Sequence, residues 1–432
     1  MNDKKIIENN LYNWCIKLFP ICRSITGLGT KKTLSFFEKI NPKLTRIKFK
    51  SGQKVFDWVV PYEWNINNAY IQHSSKKKFC EFKNNNLHVV NYSEPVNSNI
   101  TKENLLKKIY TYKKNKKAIP YVTSYYKKDW GFCMSENAKK KLPNGKYKVV
   151  IDSSFKRGTL DISHALIKGM QKKEIFFSSY VCHPSMANNE LSGPVVLNGL
   201  LKYIENNYPK TNFSYRFALV PETIGSIAYL SRFFRTMKKN TLFGFNLSCL
   251  GDSKAYSIIR NLNQNCLSSK ILNTVLRYKK NLKIYDFSER GSDERQYCSP
   301  NVNLPICGFS RSKFGEYPEY HTSLDNLNLI SNKSLKESLQ VLALIVDFVE
   351  LSMFPKLQTF CEPNLSKRNM YPTLSSYNSM SVDLKLRKDL LAYCDGNRSI
   401  FEVIDILTKN KKIDLYKIYD ELKFLIQKKL IK

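Results

Sequence analysis

The sequence predicts an α/β protein: a mixed sheet flanked by helices, carrying an inserted β-rich domain and ending in a small winged helix. Three observations predict it. From Lys146 onward, apolar runs of strand length alternate with segments of helical period, the pattern of a layered core with a mostly parallel sheet. Between residues 52 and 145 the texture is different, with short extended runs broken by turn residues. After Pro355 a stretch rich in Ser, Asn and Pro reads as a linker to Ser379, and residues 380–432 then read as a separate unit.

The elements follow in chain order. Leu11 to Phe19 places Leu11, Trp14, Cys15 and Leu18 on one helical face, and Pro20 ends it. Gly27 and Gly29 mark a turn, and Thr30 to Ile40 is a second helix with Leu34, Phe37 and Ile40 inward. The β-rich insert has extended runs at Val55–Val60, Ala69–Gln72, Leu87–Tyr92 and Tyr121–Tyr125. Strands of the main sheet are expected at Tyr147–Asp152, Thr159–Ile167, Ile175–Val181, Phe213–Val220 and Leu242–Cys249. Helices are expected at Pro194–Asn206, Ile224–Phe234 and Lys333–Leu351. In the last unit, Ser399 and Glu402 make a capping box for one helix. A second helix carries Leu415, Ile418, Leu422 and Leu425, and Lys428 to Lys432 is placed to start a wing. The layout expected is a discontinuous α/β domain (1–51 and 146–355), an inserted small β-rich domain (52–145) and a winged-helix domain (380–432).

Bulk properties narrow the function classes. The chain has 432 residues, too many for one ordinary domain. No run approaches the roughly 18 apolar residues of a membrane span. The polar segment from Met1 to Asn10 lacks an apolar signal region, so a cytoplasmic location is expected. The 11 cysteines show no paired spacing, which argues against a disulfide framework or a cysteine-zinc site. The net charge of +34 invites nucleic-acid binding. The lysines are nevertheless spread along the chain among abundant Asn, Ile and Tyr, so the charge reads as compositional bias with a general pull on anionic partners.

Among five histidines, His73 and His88 lack a carboxylate motif, and His164 lies on the strand Thr159–Ile167 as a core histidine. His183 follows a strand in Cys-His-Pro-Ser, where ligand sites of α/β sheets lie, and Glu190 follows on the same loop. Together they form half of a zinc site. Glu222 sits at the end of Phe213–Val220, where a carboxylate suits a general base. Read structurally, it faces the dipole at a helix start instead. The third cluster is Gly291-Ser292-Asp293-Glu294-Arg295-Gln296-Tyr297, followed by Glu319-Tyr320-His321-Thr322-Ser323-Leu324-Asp325-Asn326.

These motifs, with Phe19–Gly27, Asp57–Trp64, Ile119–Phe132, Cys182–Gly193 and Pro221–Leu230, resemble a family of aminopeptidase-like proteins often found with polysaccharide-biosynthesis genes. The resemblance runs along nearly the whole chain. It implies a zinc-peptidase fold with an inserted small domain and a C-terminal winged helix. The co-catalytic zinc aminopeptidases are more distant relatives. Against their pattern His183 matches the first His, Glu222 the base and His321 the late His, with Ser192-Gly193 fixing the register. Asn189 stands where the bridging Asp belongs, Thr223 replaces the second Glu, and Ser248 replaces the Asp after the next strand.

What this implies is a single Zn²⁺ held by His183, Glu190 and His321, with Glu222 as base, Asp293 as a supporting or alternative ligand, and Arg295, Tyr297 and Tyr320 lining the substrate pocket. The reaction expected is hydrolysis of an amide in a small peptide. A sugar or nucleotide-sugar amidohydrolase or acyl transferase keeps the site and changes the substrate. A non-catalytic scaffold or regulator is the third reading, favoured by the lost carboxylates. The helix from Asp414 to Gln427 mixes Lys417 and Lys423 with Asp420 and Glu421, which argues against groove binding and against nucleic acid as the main partner. No membrane association is expected, and a homo-oligomer is left open.

Overall fold

Strands that are apolar on both faces must be covered on both faces, and two such runs make the middle of the fold. These are β3 (Glu174–Tyr180) and β4 (Ser214–Val220), buried at every position. In the computed structural model, which describes residues 2–371 and 382–432, they lie parallel at the centre of an eight-stranded sheet. The other strands are β1 (Thr45–Lys50), β2 (Thr159–Ile167), β5 (Thr241–Leu247), β6 (Tyr256–Ile259), β7 (Leu282–Tyr285) and β8 (Ile306–Ser310). Their order is β1-β2-β4-β3-β5-β8-β6-β7. The inner four run parallel, while β1, β2 and β6 join antiparallel, so the sheet is mixed. The two charges in the central strands meet each other, Arg216 donating to both oxygens of Glu174 at 2.7 and 2.9 Å.

Helices α1 (Asn2–Leu18), α2 (Leu28–Ile40), α3 (Ser192–Asn207), α4 (Ile224–Asn240), α5 (Leu267–Leu276) and α6 (Asn332–Ser352) flank the sheet. One apolar core joins α1, α3, α5 and α6 through residues such as Leu200, Leu272 and Leu342. A second core sets Ile227 and Met237 of α4 against Phe176 and Val220. The Ser192-Gly193 pair opens α3 where it crosses the sheet. A Cβ on Gly193 would sit 2.4 Å from Ser179 Oγ and 2.7 Å from the Leu247 carbonyl, so only glycine permits this approach.

One expected strand changes sheets. The run expected at Tyr147–Asp152 as the first main-sheet strand extends over Lys146–Lys156 and pairs antiparallel with Glu63–His73 and Val96–Thr101 in a separate four-stranded sheet. Its buried residues Tyr147, Val149 and Ile151 alternate with outward ones, the pattern of a sheet covered on one face. Leu87–Tyr92 and Tyr121–Tyr125 are loops held by isolated bridges at Val89, Asn91 and Thr123, not strands. Strands β1, β6, β7 and β8 and helix α5 were not anticipated; β6 and β7 have four residues each, too few to show a period.

The C-terminal unit holds α7 (Val382–Tyr393), α8 (Ile400–Thr408) and α9 (Leu415–Gln427). The Ser399–Glu402 capping box starts α8 as expected. The start of the expected linker is structured: Lys356 and Lys432 exchange backbone hydrogen bonds at 3.0 and 2.9 Å, so the basic end pairs back onto this segment. Residues 372–379 of the linker and residues 380 and 381 of the expected winged helix lie outside the described residues.

The sheet centre sets stability. Phe177 is fully buried with ring centroids 5.3 Å from Phe217 and 5.9 Å from Phe245. Phe177→Ala is expected to cost about 3–5 kcal/mol, read from the urea midpoint at unchanged slope.

Candidate active site

Adjacent parallel strands deliver adjacent loops, and here β3 and β4 deliver His183 and Glu222. The Val181 N–H donating to the Val220 carbonyl at 2.8 Å carries the pairing one step past the strands. His183 is 4% exposed. Its Nδ1 lies 2.9 Å from Glu190 Oε2, and its Nε2 lies 3.6 Å from Glu222 Oε2. The ring is therefore gripped on one nitrogen and presents the other.

Glu190, expected as a metal ligand, stands on the gripped side. It is fully buried, and the equally buried Arg23 approaches its Oε1 to 3.4 Å. Arg23 also donates from Nε to the His183 carbonyl at 2.9 Å and from Nη1 to the Leu18 carbonyl at 2.8 Å. Cys182, His183 and Glu190 bring a thiol, a ring nitrogen and a carboxylate within 4.8 Å of one another. The guanidinium there repels a further cation, and burial pushes the Cys182 thiol up to about 11. Burial opposes a charged His183, while the neighbouring Cys182 and Glu190 shift its pKa upward, well above the ordinary range.

The loop between His183 and α3 winds as a wide turn over Ala187–Leu191. Asp325, fully buried, accepts the backbone N–H groups of Ala187, Asn188 and Asn189 at 3.1, 2.6 and 2.9 Å, and the Tyr317 hydroxyl at 3.0 Å. Asn189 accepts from the Tyr180 hydroxyl at 2.8 Å. Burial raises the Asp325 carboxyl to about 6 against those donors. The Ser248 hydroxyl meets the Ser310 hydroxyl at 3.2 Å.

Glu222 lies on a strained turn, Thr223 holding φ at +67°. Asp293 clamps that turn. Its Oδ1 accepts the Thr223 N–H and the Ser226 hydroxyl, both at 2.8 Å, at the start of α4. Asp293 is fully buried, and burial and then the Glu222 charge raise its carboxyl to about 7. Its observed contacts hold the loop that carries Glu222. The Glu222 side chain is 23% exposed, and burial raises its pKa against the pull of His183 and Arg295.

His321 completes the group. Its ring centroid is 5.4 Å from that of His183, and its Nε2 is buried with no hydrogen-bond partner. Burial and the neighbouring His183 hold its pKa well below the ordinary range, leaving a neutral imidazole. The inserted segment fixes it: Tyr121 donates its N–H to the His321 carbonyl at 2.8 Å, and its ring lies 5.1 Å from both histidine rings. Tyr320 stacks on His321 at 3.9 Å, so this expected pocket residue packs against the imidazole.

A cavity of about 330 Å³ opens beside Glu222, with Arg295, Trp58, Tyr125 and Tyr126 in its lining. Arg295 is where expected. Tyr297 is not, being fully buried against Ser178 at 2.8 Å, so it belongs to the core and cannot line a pocket. Arg23, Asp325, Tyr121 and Trp58 were not singled out as site residues. Each lay inside a motif already noted.

A family model described as "Domain of unknown function (DUF4910)" matches residues 12–352, and one described as a winged helix-turn-helix matches residues 353–432. The second match begins well before residue 380, in keeping with the Lys356–Lys432 pairing. The chain is 39% identical over 411 residues to a Clostridium acetobutylicum protein named "Putative polysaccharide biosynthesis protein with aminopeptidase-like domain", covering 92% of this chain and 93% of that one. A crystal structure from Clostridium acetobutylicum, described as a "putative peptidase", has a TM-score of 0.89 at 36% identity, covering 100% of this chain and 97% of that one. A zinc aminopeptidase from Bacillus subtilis shares the fold with a TM-score of 0.58 at 12% identity, over 80% of this chain and 94% of that one.

The Arg23–Glu190 pair makes one prediction and Asp325 another. Arg23→Met strands a buried carboxylate and is expected to cost about 3–5 kcal/mol, most of it recovered by adding Glu190→Gln, as a double-mutant cycle in urea would show. An acid whose folded pKa is raised loses stability as pH climbs from the unfolded value to the folded one. Stability should therefore fall between about pH 4 and pH 6 relative to Asp325→Asn, by about 3 kcal/mol at most, a difference that urea midpoints across that range would report.

Proposed function

The chain belongs to the family described as a domain of unknown function (DUF4910), and from that premise we propose that it hydrolyses an amide bond at the His183–Glu222–His321 site. One observation carries the reading. Two imidazoles and a carboxylate converge at the carboxyl ends of parallel strands, with His183 Nε2 3.6 Å from Glu222 and His321 Nε2 buried without a partner.

This donor set fits a single divalent ion. The rings of two histidines bound to one tetrahedral zinc stand about 5 Å apart, near the 5.4 Å between the His183 and His321 centroids. Against the pattern of the co-catalytic enzymes, carboxylates able to bridge two ions are replaced by Asn189, Thr223 and Ser248, and Glu190 lies on the Nδ1 side of His183 with Arg23 3.4 Å from its Oε1. His183 and His321 would hold the ion through Nε2, with Glu222 beside it as the anionic charge. When bound, such an ion polarises the amide carbonyl and acidifies water.

The chain's own residues do the rest. Glu190 fixes the tautomer of His183 by accepting from Nδ1, the role of a carboxylate behind a metal-binding histidine. Glu222 takes a proton from the attacking water as its oxygen bonds to the carbonyl carbon. It returns that proton to the nitrogen as the C–N bond breaks. Asp293 holds Glu222 in place by clamping the Thr223 turn. The relative's name, with its polysaccharide biosynthesis and aminopeptidase-like domain, supports sugar amides as well as small peptides as substrates. Eleven cysteines, all free, suit a reducing cytoplasmic setting.

Glu222→Gln tests the reading. Assayed on aminoacyl p-nitroanilides and N-acyl amino sugars with zinc supplied, it should lower kcat/KM by about 10²–10⁴-fold. Unchanged turnover of any substrate the wild type accepts would overturn the mechanism. Zinc binding without turnover of either class would favour the scaffold reading.

A further inference from the structure

A guanidinium that loses water without gaining a carboxylate is costly, and folds rarely leave one so. Every other arginine that this fold buries fully or in part faces a carboxylate within 4 Å, among the described residues. Arg216 with Glu174 and Arg387 with Glu421 are examples. Arg295 is the exception. It is half-buried and lines the cavity beside Glu222. Its one observed side-chain hydrogen bond is to the Thr223 hydroxyl, and its Nε is sealed from solvent with no acceptor.

Aromatic rings also line the cavity. Trp58 and Tyr126 meet edge to face with centroids 5.3 Å apart, and Tyr126 is 60% exposed. Both come from the inserted region, so the insert shapes the cavity as well as holding His321. A cavity of about 330 Å³ admits a group of one amino-acid side chain or one sugar ring beyond the scissile bond.

Resting on the amide-hydrolase reading, we propose that the cavity selects a substrate carrying a carboxylate close to the scissile amide, received by Arg295, with its carbon skeleton against Trp58 and Tyr126. The guanidinium supplies the missing counter-charge for the substrate, and the substrate satisfies Nε, so each completes the other. The chemistry admits two sources of carboxylate, an acidic amino acid and a uronic acid. The aromatic wall serves both, since either presents C–H groups to a ring face.

The test compares probes matched in shape and differing in charge. Wild type should cleave the p-nitroanilide of glutamate about 10–100-fold better in kcat/KM than that of glutamine, the range of a charge-assisted hydrogen bond. Arg295→Gln should bring that ratio near one, and Arg295→Lys should keep part of it. A binding arm, read by Trp58 fluorescence and absent from Trp58→Phe, sets glutaric monoamide against pentanamide and glucuronate against glucose. The pair with the larger preference identifies the source of the carboxylate, and both preferences should vanish in Arg295→Gln. A glutamate-to-glutamine ratio near one in wild type, together with equal binding within each charged and neutral pair, overturns the proposal while leaving the hydrolase reading intact. Loss of all turnover in wild type, with the binding preferences present, upholds the anion pocket and counts against the hydrolase. Should Arg295→Gln fail to fold, Arg295→Lys carries the test, an undiminished ratio there being the contrary result.

Discussion

A buried chain of contacts, Arg23 to Glu190 to His183, is what the rest of the site depends on. A carboxylate with no solvent exposure is tolerable only beside a fixed cation. Arg23 supplies it, and by also holding the Leu18 and His183 carbonyls it ties the end of α1 to the loop beyond β3. With Glu190 neutralised, its second oxygen is free to hold His183 Nδ1, which turns Nε2 toward Glu222. The orientation of the histidine is thus decided by the buried Arg23–Glu190 pair behind its Nδ1.

The same logic recurs around the site. Asp325 gathers three backbone N–H groups of the Ala187–Leu191 turn, and Asp293 gathers the start of α4. Each is a buried carboxyl used to fix backbone, and each pays for this with a raised pKa. The loops that carry His183 and Glu222 are therefore rigid from below. His321 is fixed from above by the inserted segment, through Tyr121 and the pairing of Ile119 with Ser323. The insert is part of the site and not an ornament on it.

Much of this was legible in the sequence where period or position carries the signal. The strands β3 and β4, the helices α3, α4 and α6, and the capping box of α8 follow from long apolar patterns. His183, Glu222 and His321 were singled out from strand ends and the order of motifs, and the structure brings their side chains together. The strand Lys146–Lys156 was assigned to the wrong sheet because a strand's period says which face is buried, not which partner buries it. Tyr297 illustrates the same limit: a tyrosine in a polar motif reads as a pocket residue until its hydroxyl is seen meeting Ser178 in the core. Glu190 was singled out from its nearness to His183, but the sequence does not show Arg23, 167 positions earlier, coming within 3.4 Å of its Oε1.

The central claim is that the chain holds one divalent ion through the Nε2 atoms of two histidines, with Cys182 and Glu190 outside its coordination. X-ray absorption at the zinc edge of the zinc-loaded protein measures this directly. The account predicts one zinc per chain with two imidazole nitrogens at about 2.0–2.1 Å and no sulfur neighbour. A sulfur at about 2.3 Å would place the ion on Cys182, and two zinc ions per chain or none would contradict the account equally.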